Sequence, residues 1–189
     1  GKVVLLTPTI TGPANERLIK DFLTVTPNAQ HVMYDALASG GERQIYKSVF
    51  GTEITPRYRF QRANVVLNLG GDPLGQNVSQ SEIQMDWAAK RKPENEDGMS
   101  RVYTFEPAPT LTGINSDYRF PTRPADLFRA GLVIGALVHK QLSGAANANA
   151  VVRNADTAKL FGGVDVDALV KETGVAMKEY ERIAESLAK

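Results

Sequence analysis

The stretch Asn64-Val-Val-Leu-Asn-Leu-Gly-Gly-Asp-Pro73 decides the fold. Residues 65–69 form a short, mainly apolar run that ends abruptly in turn residues, which predicts a buried strand. Gly70 and Gly71 let the backbone turn tightly or approach another group closely. Asp72 sits where the strand stops, and Pro73 blocks its continuation. In an open parallel sheet the carboxyl ends of the strands form the crevice where ligands bind. The stretch is therefore either a buried strand with an ordinary turn or one wall of a ligand site.

Outward from this strand, helices and strands alternate. Toward the N-terminus, residues 3–6 are four consecutive apolar residues and read as a central strand. Pro13 suits a first helical position, with Thr11 or Gly12 as cap, and Leu18, Ile19, Phe22 and Leu23 predict a helix over about 14–25. Residues 30–34 read as a strand with Asp35 at its end. Gly40 and Gly41 open a short helix with an inner face of Ile45, Val49 and Phe50, which Gly51 closes.

Toward the C-terminus, residues 79–92 fit a helix with Ile83 and Trp87 on one face, and 101–105 read as a strand stopped by Glu106-Pro107. The proline-rich 107–124 reads as a long ordered loop, of the kind that often carries function. Pro124 opens a helix ending near Gly144. Residues 144–163 read as a flexible excursion, and Asp165 caps a C-terminal helical segment over 164–189 that Gly174 divides. Alternation of this kind predicts an α/β, doubly wound, Rossmann-like domain over 1–143, with a mostly parallel sheet and helices on both faces. The 164–189 segment is expected to pack on it.

Composition bounds the function. A chain of 189 residues with 42% hydrophobic and 23% charged residues is ordinary for a globular protein with a real core. With a formal net charge of +1, electrostatics alone suggest neither a nucleic-acid nor an acidic-membrane surface. The absence of cysteine removes thiolate nucleophiles, disulfides and cysteine-held metal or iron–sulfur centres from this chain. No apolar run has the length of a membrane span. The start at Gly1, directly before a strand, reads as an excised segment.

The candidate chemistry lies at strand ends. The 7–13 loop offers threonine hydroxyls and helix-start N–H groups suited to an anion, with Asp35 where dinucleotide folds place a ribose-binding acid. Without the glycine fingerprint, a plain strand-to-helix turn is the stronger reading there. Asp72 and Glu106 end two different strands, and each either accepts hydrogen bonds from a guanine or ribose or caps a neighbouring turn. Asp126 falls in the first turn of its helix, where negative charge is stabilised without any ligand. His31 and His139 are isolated, and no Ser-His-Asp pattern occurs. Lys90-Arg91-Lys92 reads as a solvated helix end.

The ordered set Gly71-Asp72-Pro73, Glu106-Pro107, Thr110, Thr112-Gly113, Asp117, Arg123-Pro124 and Asp126 resembles the molybdopterin oxidoreductase superfamily, over residues 63–142. There one strand ends in Gly-x-Asn-Pro, the next in Asp-Pro-Arg, and Arg-Pro-Gly-Thr-Asp opens a helix. Here Glu106 stands for that aspartate and Ala108 for that arginine, and Arg123-Pro-Ala-Asp126 lacks the Gly-Thr spacing. The Thr110–Gly113 and Asp117–Pro121 patterns are closest to the iron–sulfur subunit of alternative complex III and related quinone-linked complexes. In that branch the similar domain is thought to carry no molybdenum cofactor.

The resemblance implies a structural domain of a respiratory electron-transfer subunit, without catalysis of its own and without a cofactor in this segment. Its partners would be other domains of that subunit and further subunits of a membrane-bound complex, on the periplasmic or extracytoplasmic side. The alternative it implies is a molybdopterin guanine dinucleotide-binding domain of a redox enzyme. Gly70, Gly71, Asp72, Glu106, Thr110, Thr112, Arg123 and Asp126 would then hold the nucleotide. A free-standing nucleotide-binding enzyme is the weakest of the three readings.

Overall fold

A computed structural model describes residues 1–10, 12–36, 40–52, 54, 56–75, 80–95, 98–143 and 155–189. The fold is α/β, and every strand pairing among the described residues is parallel. The chain divides into two compact units, Gly1–Pro56 and Arg57–Lys189. The sequence reading drew no boundary between them.

The first unit runs β1 (Val3–Thr7), α1 (Pro13–Val25), β2 (Ala29–Met33) and α2 (Gly40–Phe50). β1 and β2 form a two-stranded sheet, with Val3 opposite Ala29 and Thr7 opposite Met33. Gly12 is the cap of α1, and Thr11 lies outside the described residues. Gly51 closes α2 at φ +75°, a left-handed conformation that glycine adopts freely. The expected burial does not occur. Val4 and Leu6 of β1 are 58% and 63% exposed, so β1 is not the covered central strand that its apolar run predicts. Ile45, Val49 and Phe50 are exposed as well, so α2 has no buried inner face along them. The physical reason is the small sheet: two strands offer too little surface to cover the run on both faces.

The second unit is built on a three-stranded sheet in the order β3 (Val65–Leu69), β4 (Arg101–Glu106), β5 (Tyr118–Pro121). The register sets Leu69 against Phe105, and Tyr103 and Phe105 against Tyr118 and Phe120. Around the sheet stand α3 (Gln80–Lys90), the one-turn α4 (Leu111–Ile114), α5 (Pro124–Ser143), α6 (Ala155–Gly162), α7 (Val166–Thr173) and α8 (Met177–Leu187).

Strand alternation splits this core in two. Val65, Leu67, Tyr103, Phe105, Tyr118 and Phe120 point to the face covered by α5 and α8, where Val133, Ile134, Tyr180 and Ile183 are buried. Val66 and Val102 point the other way, against Leu74 and against Ile83 and Trp87 of α3. Helices therefore cover both faces. Asp165 caps α7 by accepting the Ala168 N–H at 3.0 Å, and Gly174 at φ +70° separates α7 from α8.

Two expectations are corrected here, on the 107–124 stretch and on Lys90. The stretch 107–124 is not one loop, since it contains α4 and β5. The stacked pairs Tyr103–Tyr118 and Phe105–Phe120, with centroids 5.1 and 4.7 Å apart, hold β5 to β4. Of the expected flexible excursion, residues 144–154 lie outside the described residues, and the rest contains helix α6. Lys90 is buried rather than solvated. Its neighbour Arg91 lies over the Trp87 ring at 5.6 Å and forms a two-pronged pair with Asp117 at 2.9 and 2.9 Å. Ser79 also lies outside the described residues, and α3 begins at Gln80.

Asp117 joins three elements. Besides Arg91 of the segment after α3, it accepts the Val102 N–H of β4 at 2.7 Å from the residue just before β5. The Arg91 guanidinium is the largest influence holding its carboxyl below the usual aspartate range, with the Val102 N–H adding to it against partial burial. A carboxyl depressed by folding stabilises above the ordinary aspartate pKa and loses that contribution as pH falls through its folded value. Asp117→Asn is therefore expected to be less stable than wild type at pH 7. The gap in urea-unfolding free energy between the two should close as pH is lowered below about 4. A gap that stays constant down to pH 2 would contradict this role.

Candidate functional site

The sequence-derived site residues gather at the carboxyl ends of β3 and β4. The turn after β3 is built by Asn68, whose side chain donates to the Gly71 carbonyl at 2.8 Å and accepts the Gly71 N–H at 3.2 Å. Gly70 takes φ +78° there, and a Cβ on it would stand 2.6 Å from Leu127 Cδ1 at the start of α5. The positive φ favours glycine at this position, and a larger residue would also oblige the Leu127 side chain to move.

Asp72 follows this turn and reaches across to α4. One of its oxygens accepts the Thr112 N–H at 2.9 Å and the Thr112 hydroxyl at 2.7 Å. The same hydroxyl oxygen accepts the Leu74 N–H at 3.1 Å, so Thr112, fully buried, links the 72–74 turn to α4. Burial works against ionisation of Asp72, but the Thr112 hydroxyl and amide, joined by the Gly75 amide, outweigh it. They hold the carboxyl below the usual aspartate range.

Glu106, the last residue of β4, is fully buried. It accepts the Thr110 hydroxyl at 2.7 Å and the Thr110 N–H at 3.3 Å, and it pairs with Arg119 Nε from β5. Thr110 in turn accepts the Gly113 N–H at 3.1 Å as the cap of α4. A Cβ on Gly113 would overlap the Glu106 carboxylate, so the approach of α4 to the acid demands glycine at that position. The two acids thus share one rim and grip the same short helix, two residues apart along it.

Arg123 and Asp126 sit at the start of α5. Asp126, 3% exposed, accepts from Arg123 Nε and, at 3.0 Å, from Arg129 Nη1. Arg129 Nε also meets Glu172 of α7 at 2.7 Å, and Arg123 Nη2 donates to the Glu172 carbonyl at 3.3 Å. This ionic chain ties the first turn of α5 to the end of α7. In the first unit, Asp35 accepts both the amide of Thr9, at 3.0 Å, and its hydroxyl. His31 Nε2 stands 2.8 Å from the Thr7 hydroxyl.

The polar groups proposed for a nucleotide are therefore already engaged. Asp72 and Glu106 hold threonines, and Arg123 is paired with Asp126. Among the described residues no cluster of histidine, aspartate and glutamate is placed to hold a metal ion. Also among them, no helix is long and apolar enough to cross a membrane.

Sequence reasoning missed Arg119, Asn68 and Ser116. The Thr104 and Ser116 hydroxyls are 2.6 Å apart, and Ser116 donates to the Thr112 carbonyl at 2.8 Å, buttressing α4 from below. One signal was available for Arg119. Tyr118-Arg-Phe120 repeats the Tyr103-Thr-Phe105 pattern, which marks a paired strand and places Arg119 beside Thr104.

Compared with known proteins, the chain matches no protein-family model, and no curated protein is significantly similar to it.

Removing Arg119 leaves Glu106 buried without its cation. Arg119→Met is expected to destabilise the protein by about 3–5 kcal/mol, the range for breaking a buried pair. Glu106→Gln with Arg119→Met should recover part of that loss, as read by chemical denaturation. Additive losses would contradict the pairing.

Proposed function

We propose that this chain is a structural domain of a molybdopterin oxidoreductase-like subunit in a respiratory electron-transfer complex, and that it performs no chemistry itself. The observation that carries the reading is the occupation of both strand-end carboxylates by α4. Asp72 accepts from Thr112, and Glu106 accepts from Thr110 and Arg119, which supports a rim that fixes a loop over one that receives a nucleotide. The ordered motifs from Gly71 to Asp126 support the superfamily. Ala108, at the position of the family's arginine, supports the branch thought to lack the cofactor. The partners proposed are the other domains of the subunit and neighbouring subunits at the outer face of a membrane.

The test is elemental and chromatographic. The full-length protein containing this domain, purified under conditions that retain cofactor, is expected to release neither pterin nor guanine nucleotide and to carry no molybdenum. It should co-purify with membrane subunits. Stoichiometric pterin and molybdenum would instead establish the dinucleotide-binding alternative, and a soluble monomer with turnover would exclude the structural role.

A further inference from the structure

The end of α3 and the start of β4 hold a second feature, at the opposite end of the sheet from the strand-end rim and independent of the reading above. Lys90, the last residue of α3, is only 8% exposed, and Ser100, just before β4, only 6%. The Ser100 N–H donates to the Lys90 carbonyl at 3.4 Å, and Arg91 Nη1 donates to the Ser100 carbonyl at 2.9 Å. The two residues therefore meet where the helix ends and the strand begins.

Their side chains share one face. Ile83, Trp87 and Lys90 are the buried residues of α3, spaced four and three apart on a single stripe. Ser100 lies two residues before Val102, and strand alternation carries it to the same side of the sheet, where Val102 packs with Ile83 and Trp87.

Among the described residues, neither the Lys90 amine nor the Ser100 hydroxyl has a hydrogen-bond or ion-pair partner. Asp86, one turn earlier in α3, makes no ion pair with Lys90. Neither polar tip is sealed from solvent, since His139 Nε2 is the one fully enclosed, unpartnered side-chain atom among the described residues. A lysine buried to this degree is almost always paired, and a cation without a partner in such a setting is costly. Here an ammonium and a hydroxyl, both donors and both nine-tenths buried, lie side by side without an acceptor and with an opening to water.

We infer that Lys90 and Ser100 bind a small monocarboxylate. The Lys90 ammonium supplies the opposite charge, and the Ser100 hydroxyl donates to a carboxylate oxygen. One ammonium balances one negative charge. A phosphate dianion would leave a second charge uncompensated in the same half-closed setting, so the niche selects the singly charged ligand.

The experiment titrates the intact chain with propionate, and with propionamide and inorganic phosphate as comparisons, at neutral pH and constant ionic strength. Trp87 is the sole tryptophan and lies one turn before Lys90, so its fluorescence reports on the niche, with the Ser100 amide resonance as a second reading. A saturable response to propionate, stronger than to either comparison, is expected. Ser100→Ala should weaken propionate about tenfold, the size of a hydrogen bond to a charged group. Lys90→Met keeps the length of the stem and should abolish the response with the far-ultraviolet circular dichroism unaltered. The wild-type titrations and Ser100→Ala decide the matter if Lys90→Met does not fold. The inference is overturned by no saturation with propionate, by propionamide or phosphate binding as tightly, or by propionate affinity unchanged in Ser100→Ala or in folded Lys90→Met.

Discussion

A carboxylate at the end of a strand, closing on both the amide and the hydroxyl of one threonine, is the interaction on which the ordered loops of this chain depend. Among the described residues it occurs three times: Asp35 on Thr9, Asp72 on Thr112 and Glu106 on Thr110. A strand end leaves backbone groups unpaired, and the loop beyond it must be held against its conformational freedom. An ionised acceptor strengthens both hydrogen bonds, and two donors from one residue fix orientation as well as distance. In the second unit two such grips, on Thr110 and Thr112, turn four residues into a helical turn with a defined seat.

The rest of the C-terminal unit builds on that seat. Thr110 and Thr112 hold α4, Ser116 braces it, and the chain then enters β5 with its aromatic pair stacked on β4. Arg119 of β5 neutralises Glu106, which allows a carboxylate to be buried at the sheet's rim at all. Beyond β5, Thr122 N–H donates to the Glu106 carbonyl at 3.0 Å, and α5 starts from there with Asp126 clasped by two arginines. The same residues that suggest a ligand crevice by their position thus form the internal fastening of the fold. Position at a strand's end raises the prior for a site, but hydrogen-bond occupancy decides what the side chain does.

The sequence made the regular elements legible where hydrophobic spacing was strong. Ile83 and Trp87, four apart, are both buried under α3's face, and Pro124 opens α5 as its restricted φ suggests. The strand-end placement of Asp72 and Glu106 was also legible, because Gly70-Gly71 and Pro107 stop the two runs. Their partners were not. A threonine in a proline-rich loop carries no local sign of which acid it will meet, since Thr112 lies 40 residues from Asp72. β5 escaped because four residues ending in Pro121 look like loop, and its evidence is the cross-strand match with Tyr103 and Phe105. The apolar run of β1 pointed to burial that a two-stranded sheet does not provide.

A double-mutant cycle between Asp72 and Thr112 addresses the occupied carboxylate most directly. Asp72→Asn, Thr112→Val and the pair would be compared by equilibrium unfolding near neutral pH. If the Asp72 carboxylate is held by Thr112, the coupling energy is about 1–3 kcal/mol, as for hydrogen bonds to a charged group. A coupling indistinguishable from zero would mean that Asp72 is free at the rim, and it would return this acid to the list of groups available for a ligand.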